Sequence, residues 1–125
     1  MLAKILIGVI AILHLGIAGL EMFAWVSRGP KIFKSLAPEL FVPTAAMAAN
    51  QGLYNAFLAA GLLWSLVIAD AKWHVNVASC FLIFVLVAGL YGAATVSSTI
   101  LLVQSVPAIL ALGLLYLGRR GAVGS

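Results

Sequence analysis

Glu21 is the one carboxylate of this chain that falls inside a long apolar run, and any chemistry in the sequence starts from it. In hydrocarbon a carboxylate costs several kcal/mol unless it is paired or solvated, so such a group normally faces the protein interior. It can accept a proton, or it can hold an amide or hydroxyl donor. Five other polar residues interrupt apolar runs in a related way: Asn50, Gln51, Asn55, Tyr91 and Gln104. His14 stands seven residues before Glu21, about 20° from alignment on a helix, and Trp25 joins the same stripe. Gln51 with Asn55 and Asn50 with Tyr54 are i, i+4 pairs, one turn apart on adjoining stripes. Glu21 would act as proton acceptor, while the amides orient a carbonyl, hydroxyl or epoxide oxygen. No nucleophile–base pair is discernible, so the pattern names no reaction. His14 has no second histidine at ligand spacing, which argues for a satisfied interior histidine and against a metal or haem ligand. No cofactor is implied. The competing reading of the amides is interhelical hydrogen-bond glue, at about 0.6–2 kcal/mol each.

The elements that must position these groups follow from composition. Hydrophobic residues make up 65% of the 125 and charged residues 8%, too few charges to clothe a water-facing surface. Disorder is excluded for the same reason. The reading is an all-α integral membrane protein, one domain over residues 1–125. The net charge of +4 forms no basic stripe, so nucleic acid is not an expected partner. Cys80, the single cysteine, allows no disulfide framework and reads as a packing residue.

A span needs about 20 apolar residues. Four segments qualify: residues 5–26, 45–69, 74–96 and 99–118. They predict a four-helix bundle of four transmembrane helices with both termini on the same side. Ser27-Arg28-Gly29-Pro30-Lys31 is expected to end the first span, because proline lacks the amide proton and the charges seek water. Residues 27–44 are expected to form an interfacial loop, with Phe33, Leu36, Leu40 and Phe41 dipping among headgroups. Asp70-Ala71-Lys72 and Ser97-Ser98 are tight turns, and Gly121–Ser125 reads as a frayed end. The first span is too long for a signal core and carries Glu21, so it is read as a retained helix. Lys and Arg number four on the side of the termini and three on the other, so they do not set the orientation.

Antiparallel spans bring the six polar residues to one depth, in the leaflet on the side of the 27–44 loop. The opposite half is almost purely apolar apart from Ser65, Asn76, Ser79 and Tyr116. Trp25, Trp73, Tyr116 and also Tyr91 suit an aromatic belt. Small-residue rows, Gly52/Ala56/Ala60 on the second span and Gly89/Ala93 with Ala88/Gly92 on the third, are expected to pair those two spans or to serve self-association. Pro107 is expected to kink the fourth span beside Gln104 by freeing the carbonyl of Val103.

Three strings, Glu21-Met22-Phe23-Ala24-Trp25, Ala49 to Leu62 (ANQGLYNAFLAAGL) and Ala88 to Val96 (AGLYGAATV), resemble the bacterial four-span family catalogued as domain of unknown function 1304. The resemblance covers nearly the whole chain and implies a multi-pass protein of the bacterial cytoplasmic (inner) membrane; it supplies no reaction. Where that family carries a basic pair after the third span, this chain has Ser97-Ser98. A looser likeness to the four-span enzymes of glutathione and eicosanoid metabolism lacks their Arg- and Glu-rich second helix and stays at the level of fold.

Two functions compete. One is a membrane-embedded polar pocket that binds or acts on a small lipophilic molecule, in a homo-oligomer surrounded by the lipid bilayer. The other is a proton-coupled exporter using Glu21, in the manner of small multidrug transporters. The cluster lies off the midplane, where alternating-access sites sit, which weighs against the second. A structural or accessory membrane subunit is the remaining class.

Overall fold

The computed structural model describes residues 1–123. Every regular element among them is helical. The helices are α1 (Leu2–Phe23), α2 (Trp25–Ile32), α3 (Ala45–Val67), α4 (Ala71–Thr95) and α5 (Val106–Val123). A short 3-10 turn covers Pro38–Leu40, and a π-helical segment, Leu101–Ser105, leads directly into α5. Gly124 and Ser125, part of the expected frayed end, lie outside the described residues, whereas the backbone is helical through Val123.

Three helical runs are long and apolar enough to cross a membrane: Leu2–Phe23, Ala71–Thr95 and Leu101–Arg120. The 23-residue α3 is long enough but is not among them, because Asn50, Gln51 and Asn55 dilute its apolar character. Long apolar side chains face outward on every long helix, as at Ile12 (67% exposed), Val67 (79%) and Leu102 (67%). Inward, Ile7, Ile10 and Ala11 of α1, Ala59 and Leu62 of α3, Ala78, Leu82 and Val85 of α4, and Ala108, Ala111 and Leu115 of α5 form one core. Their three- and four-residue spacings place one face of each helix inside. α1 lies along α3, its main partner; α3 also meets α4, α4 meets the π segment and α5, and α5 touches α1.

The first span ends earlier than its hydropathy indicates. At Ala24 (φ −133°, ψ 16°) the helix breaks, and Ser27-Arg28-Gly29-Pro30-Lys31, expected as the break itself, lies inside α2. Aromatic packing decides this. The Trp25 ring centroid is 5.2 Å from that of Phe33 and 4.9 Å from that of Phe41, and Phe41 is 1% exposed. The Trp25 indole N–H donates to the Thr44 hydroxyl (3.0 Å), which donates in turn to the Leu40 carbonyl (2.7 Å). Residues 27–44 therefore fold back as a small aromatic cap, in which Phe41 is buried and Leu40 stays exposed. Trp25 also leaves the His14–Glu21 stripe, since it belongs to a different helix.

The glycines at the heads of the small-residue rows pack on other elements than the expected pairing of the second and third spans. A Cβ on Gly52 would meet Met22 Cγ (2.7 Å), the Ala18 carbonyl oxygen (3.0 Å) and Glu21 Cβ (3.0 Å), so Gly52 packs α3 on α1. Gly89 lies against Gln104 and Ser105, and packs α4 on the π segment. Between α3 and α4 the close approach is instead Gly61 against the Phe81 ring. The expected irregularity near Pro107 takes the form of the π segment, stitched to α4 by the Ser105 hydroxyl donating to the Leu86 carbonyl at 3.1 Å.

This geometry sets a first expectation. Gly89→Ala would put a methyl group on the Ser105 hydroxyl and 2.9 Å from both the Ser105 amide nitrogen and Gln104 Cβ. Relief requires backbone movement, so the variant should lose about 1–2 kcal/mol of stability. Gly113→Ala meets nothing within 4 Å and should be neutral or slightly stabilising. Thermal unfolding of the two variants in one detergent checks the contrast; equal melting temperatures would count against the α4–π packing.

Candidate functional site

The carboxylate finds its donor across the α1–α3 contact. Asn55 Nδ2 donates to Glu21 Oε2 at 2.8 Å, with a longer 3.4 Å contact to the Gln51 carbonyl oxygen of its own helix. Asn55 is 7% exposed, whereas Glu21 is half-buried. Among the described residues the other Glu21 carboxylate oxygen accepts no hydrogen bond. Gly52 makes the pairing possible, because only hydrogen fits where α3 crosses Ala18, Glu21 and Met22, one turn from Asn55. A charge-assisted bond of this kind contributes about 1.5–3 kcal/mol.

The other candidates are placed differently. Asn50 and Gln51 are exposed, on faces of α3 turned away from α1, and no side-chain hydrogen bond joins either to Glu21 among the described residues. Tyr91 is 72% exposed, and Gln104 is half-buried where the π segment crosses Gly89. Of the three α3 amides, Asn55 therefore makes the pair with Glu21. The rotation of α3 about its axis selects it: Asn55 lies on the face of Ala48, Gly52, Ala59 and Leu62, all buried.

Glu21 also lines a shallow, open depression of about 290 Å³, together with Met22, Trp25, Val26, Ser27 and Ala45. The Ala24 break creates it, because two turns of helix that would have continued α1 swing aside. Its lining is mixed: Met22, Phe23, Trp25, Val26 and Ala45 are apolar or aromatic, and Glu21 and Ser27 are polar. Among the described residues no group of three or more His, Cys, Asp and Glu side chains could hold a metal ion.

The chain matches the family described as "Protein of unknown function (DUF1304)" over residues 8–116. It belongs to that family. No curated protein and no solved structure matches it. The matched stretch of this DUF1304 protein runs from within α1 to within α5 and contains every candidate site residue.

His14 is fully buried, and its Nδ1–H donates to the Ile10 carbonyl at 2.8 Å. A carbonyl only accepts, so the proton is on Nδ1, and Nε2 is left without a partner among the described residues. His14 thus stands in the interior, two turns away from Glu21 along α1 and without a bond to it.

One polar contact went unread in the sequence. The His74 Nδ1–H donates to the Ser65 carbonyl at 2.7 Å, while the Ser65 hydroxyl donates to the Leu62 carbonyl at 2.6 Å. His74 thereby satisfies one of the orphan carbonyls in the last turn of α3. The available signal was the short link: Asp70 caps α4 by accepting from the Trp73 amide at 2.8 Å, which turns His74 back toward the end of α3.

Proposed function

We propose that this DUF1304 protein is a four-span protein of the bacterial cytoplasmic membrane, with both termini on one side, that binds or acts on a small lipophilic molecule carrying a polar donor. The Glu21–Asn55 pair is the polar end of the site, in the leaflet on the side of the aromatic cap. One observation carries this reading: Glu21 is held by Asn55 at 2.8 Å and also lines an open depression that it shares with Met22, Phe23, Trp25 and Val26. A carboxylate whose only role was to glue two helices would gain nothing from such an opening. At about 1.5 Å per residue the 23 residues of α3 reach about 35 Å, enough for the fourth span. Packing along α1 shelters Asn55, the deepest of its three amides. Homo-oligomerisation belongs to the same reading.

The test is chemical. The full chain is purified from membranes in a mild detergent, and its organic extract is analysed by mass spectrometry. A lipophile bearing a hydroxyl, amide or amine donor should co-purify with the wild type. Its yield should fall roughly tenfold or more when Glu21 and Asn55 are both replaced by leucine, since a charge-assisted hydrogen bond is worth at least a factor of ten in affinity. Absence of any such lipophile, combined with proton-driven substrate flux in liposomes that is abolished by Glu21→Gln, would transfer the assignment to the exporter class.

A further inference from the structure

Along α3, Ala46, Asn50, Leu53, Phe57, Ala60, Trp64 and Val67 follow one another at alternating intervals of four and three residues. All seven are exposed, so no other element of the chain covers this stripe at any point along its length. Outward stripes occur on the other long helices too, where apolar side chains suit lipid. The α3 stripe differs in what it carries. Asn50 projects a carboxamide about 7 Å along the axis from the helix start, and the stripe also includes two alanines that permit close approach. A carboxamide facing hydrocarbon leaves two donors and an acceptor unpaired.

We propose that this stripe is the contact between two copies of the chain, with α3 packed in parallel against the partner's α3 about a twofold axis along the membrane normal. The chemistry selects a second copy as the occupant. A carboxamide is both donor and acceptor, so two Asn50 side chains meeting across a twofold satisfy one another without any further residue. The four–three spacing is that of a left-handed helix pair, in which Asn50, Phe57 and Trp64 fall at one set of inward positions and Ala46, Leu53, Ala60 and Val67 at the other. A single asparagine at such a position fixes register and favours two strands. The inference rests on the membrane-spanning reading but is independent of the lipophile site, since the stripe lies on a face of α3 turned away from Glu21.

The experiment uses the full chain in native membranes, with Cys80→Ser removing the one native thiol. Single cysteines are introduced at Asn50, Phe57, Ile12, Ile109 and Asn76, all exposed positions, and oxidised with copper phenanthroline. Asn50→Cys and Phe57→Cys should give disulfide-linked dimers as the main product, and Ile12→Cys and Ile109→Cys only traces. In the uncrosslinked protein, Asn50→Leu should weaken dimerisation by about 3- to 20-fold, the range of one interhelical hydrogen bond in a membrane, while Asn50→Gln should retain it. Equal capture at all positions, dominant capture through Asn76 on α4, or a monomer throughout would each overturn the proposal. Loss of the co-purifying lipophile with crosslinking intact would instead overturn the site reading alone.

Discussion

Replacing Asn55 by leucine should destabilise the protein by about 2–3 kcal/mol, and replacing Glu21 by leucine as well should restore most of that loss. The two side chains meet at 2.8 Å across the main helix–helix contact of the fold, and Asn55 has almost no access to the surroundings. Removing Asn55 leaves a half-buried carboxylate without its donor. Removing Glu21 alone leaves a buried amide without its acceptor, at a cost of about 1–3 kcal/mol. Removing both replaces a hydrogen-bonded pair with an apolar one of similar shape, which is close to neutral. The double-mutant cycle, read by thermal or denaturant unfolding in detergent, should therefore show a coupling above about 1 kcal/mol. Strictly additive losses would mean that the pair does not form in the folded protein. Glu21→Gln preserves an acceptor for Asn55 and should keep most of the stability, so it separates the charge from the hydrogen bond in any functional assay.

The second large effect is expected at His14, with opposite signs for two substitutions. The imidazole is fully enclosed, and its Nε2 lone pair has no partner among the described residues. His14→Ala removes a whole ring from the interior and should cost about 2–4 kcal/mol, the range for cavity-forming truncations in packed cores. His14→Leu keeps most of the volume and eliminates the unsatisfied acceptor, so it should be neutral or stabilising by about 1 kcal/mol. Melting temperatures of the two variants decide this. Were leucine as damaging as alanine, Nε2 would have to be engaged by a buried water or bound group, and His14 would rejoin the functional candidates.

These two positions also mark how far the chain could be read without its fold. The long helices were legible because apolar content is a local property. Three helical runs cross the threshold for a span, and their ends fall within a few residues of the polar breaks. The need of Glu21 for an amide partner from the second span was legible too, because the cost of a lone carboxylate in hydrocarbon does not depend on the details of packing. Depth alone, however, left Asn50, Gln51 and Asn55 equivalent. The choice among them is a rotation of α3 about its own axis, and the contact of Gly52 with Ala18 and Met22 sets that angle. A glycine in a helical sequence does not announce which neighbour it will meet.

The Ala24 break was hidden for a related reason. Proline and charge marked the stretch from Ser27 to Lys31 as the end of the first span, and local rules alone would stop the helix there. The chain turns earlier because Trp25 packs on Phe33 and Phe41 and bonds to Thr44, partners 8 to 19 residues further along. In the same way Pro107 announced an irregularity, but its form as a π segment depends on Ser105 reaching the Leu86 carbonyl of α4. Residue chemistry is enough to specify the long helices, the membrane-like composition and the need of Glu21 for a partner, since each follows from the free energy of placing a given side chain in a given solvent. The partner of Glu21, the depression beside it and the faces of α3 that stay open were decided only by tertiary structure, since they depend on which helix surfaces fit together closely enough to exclude everything else.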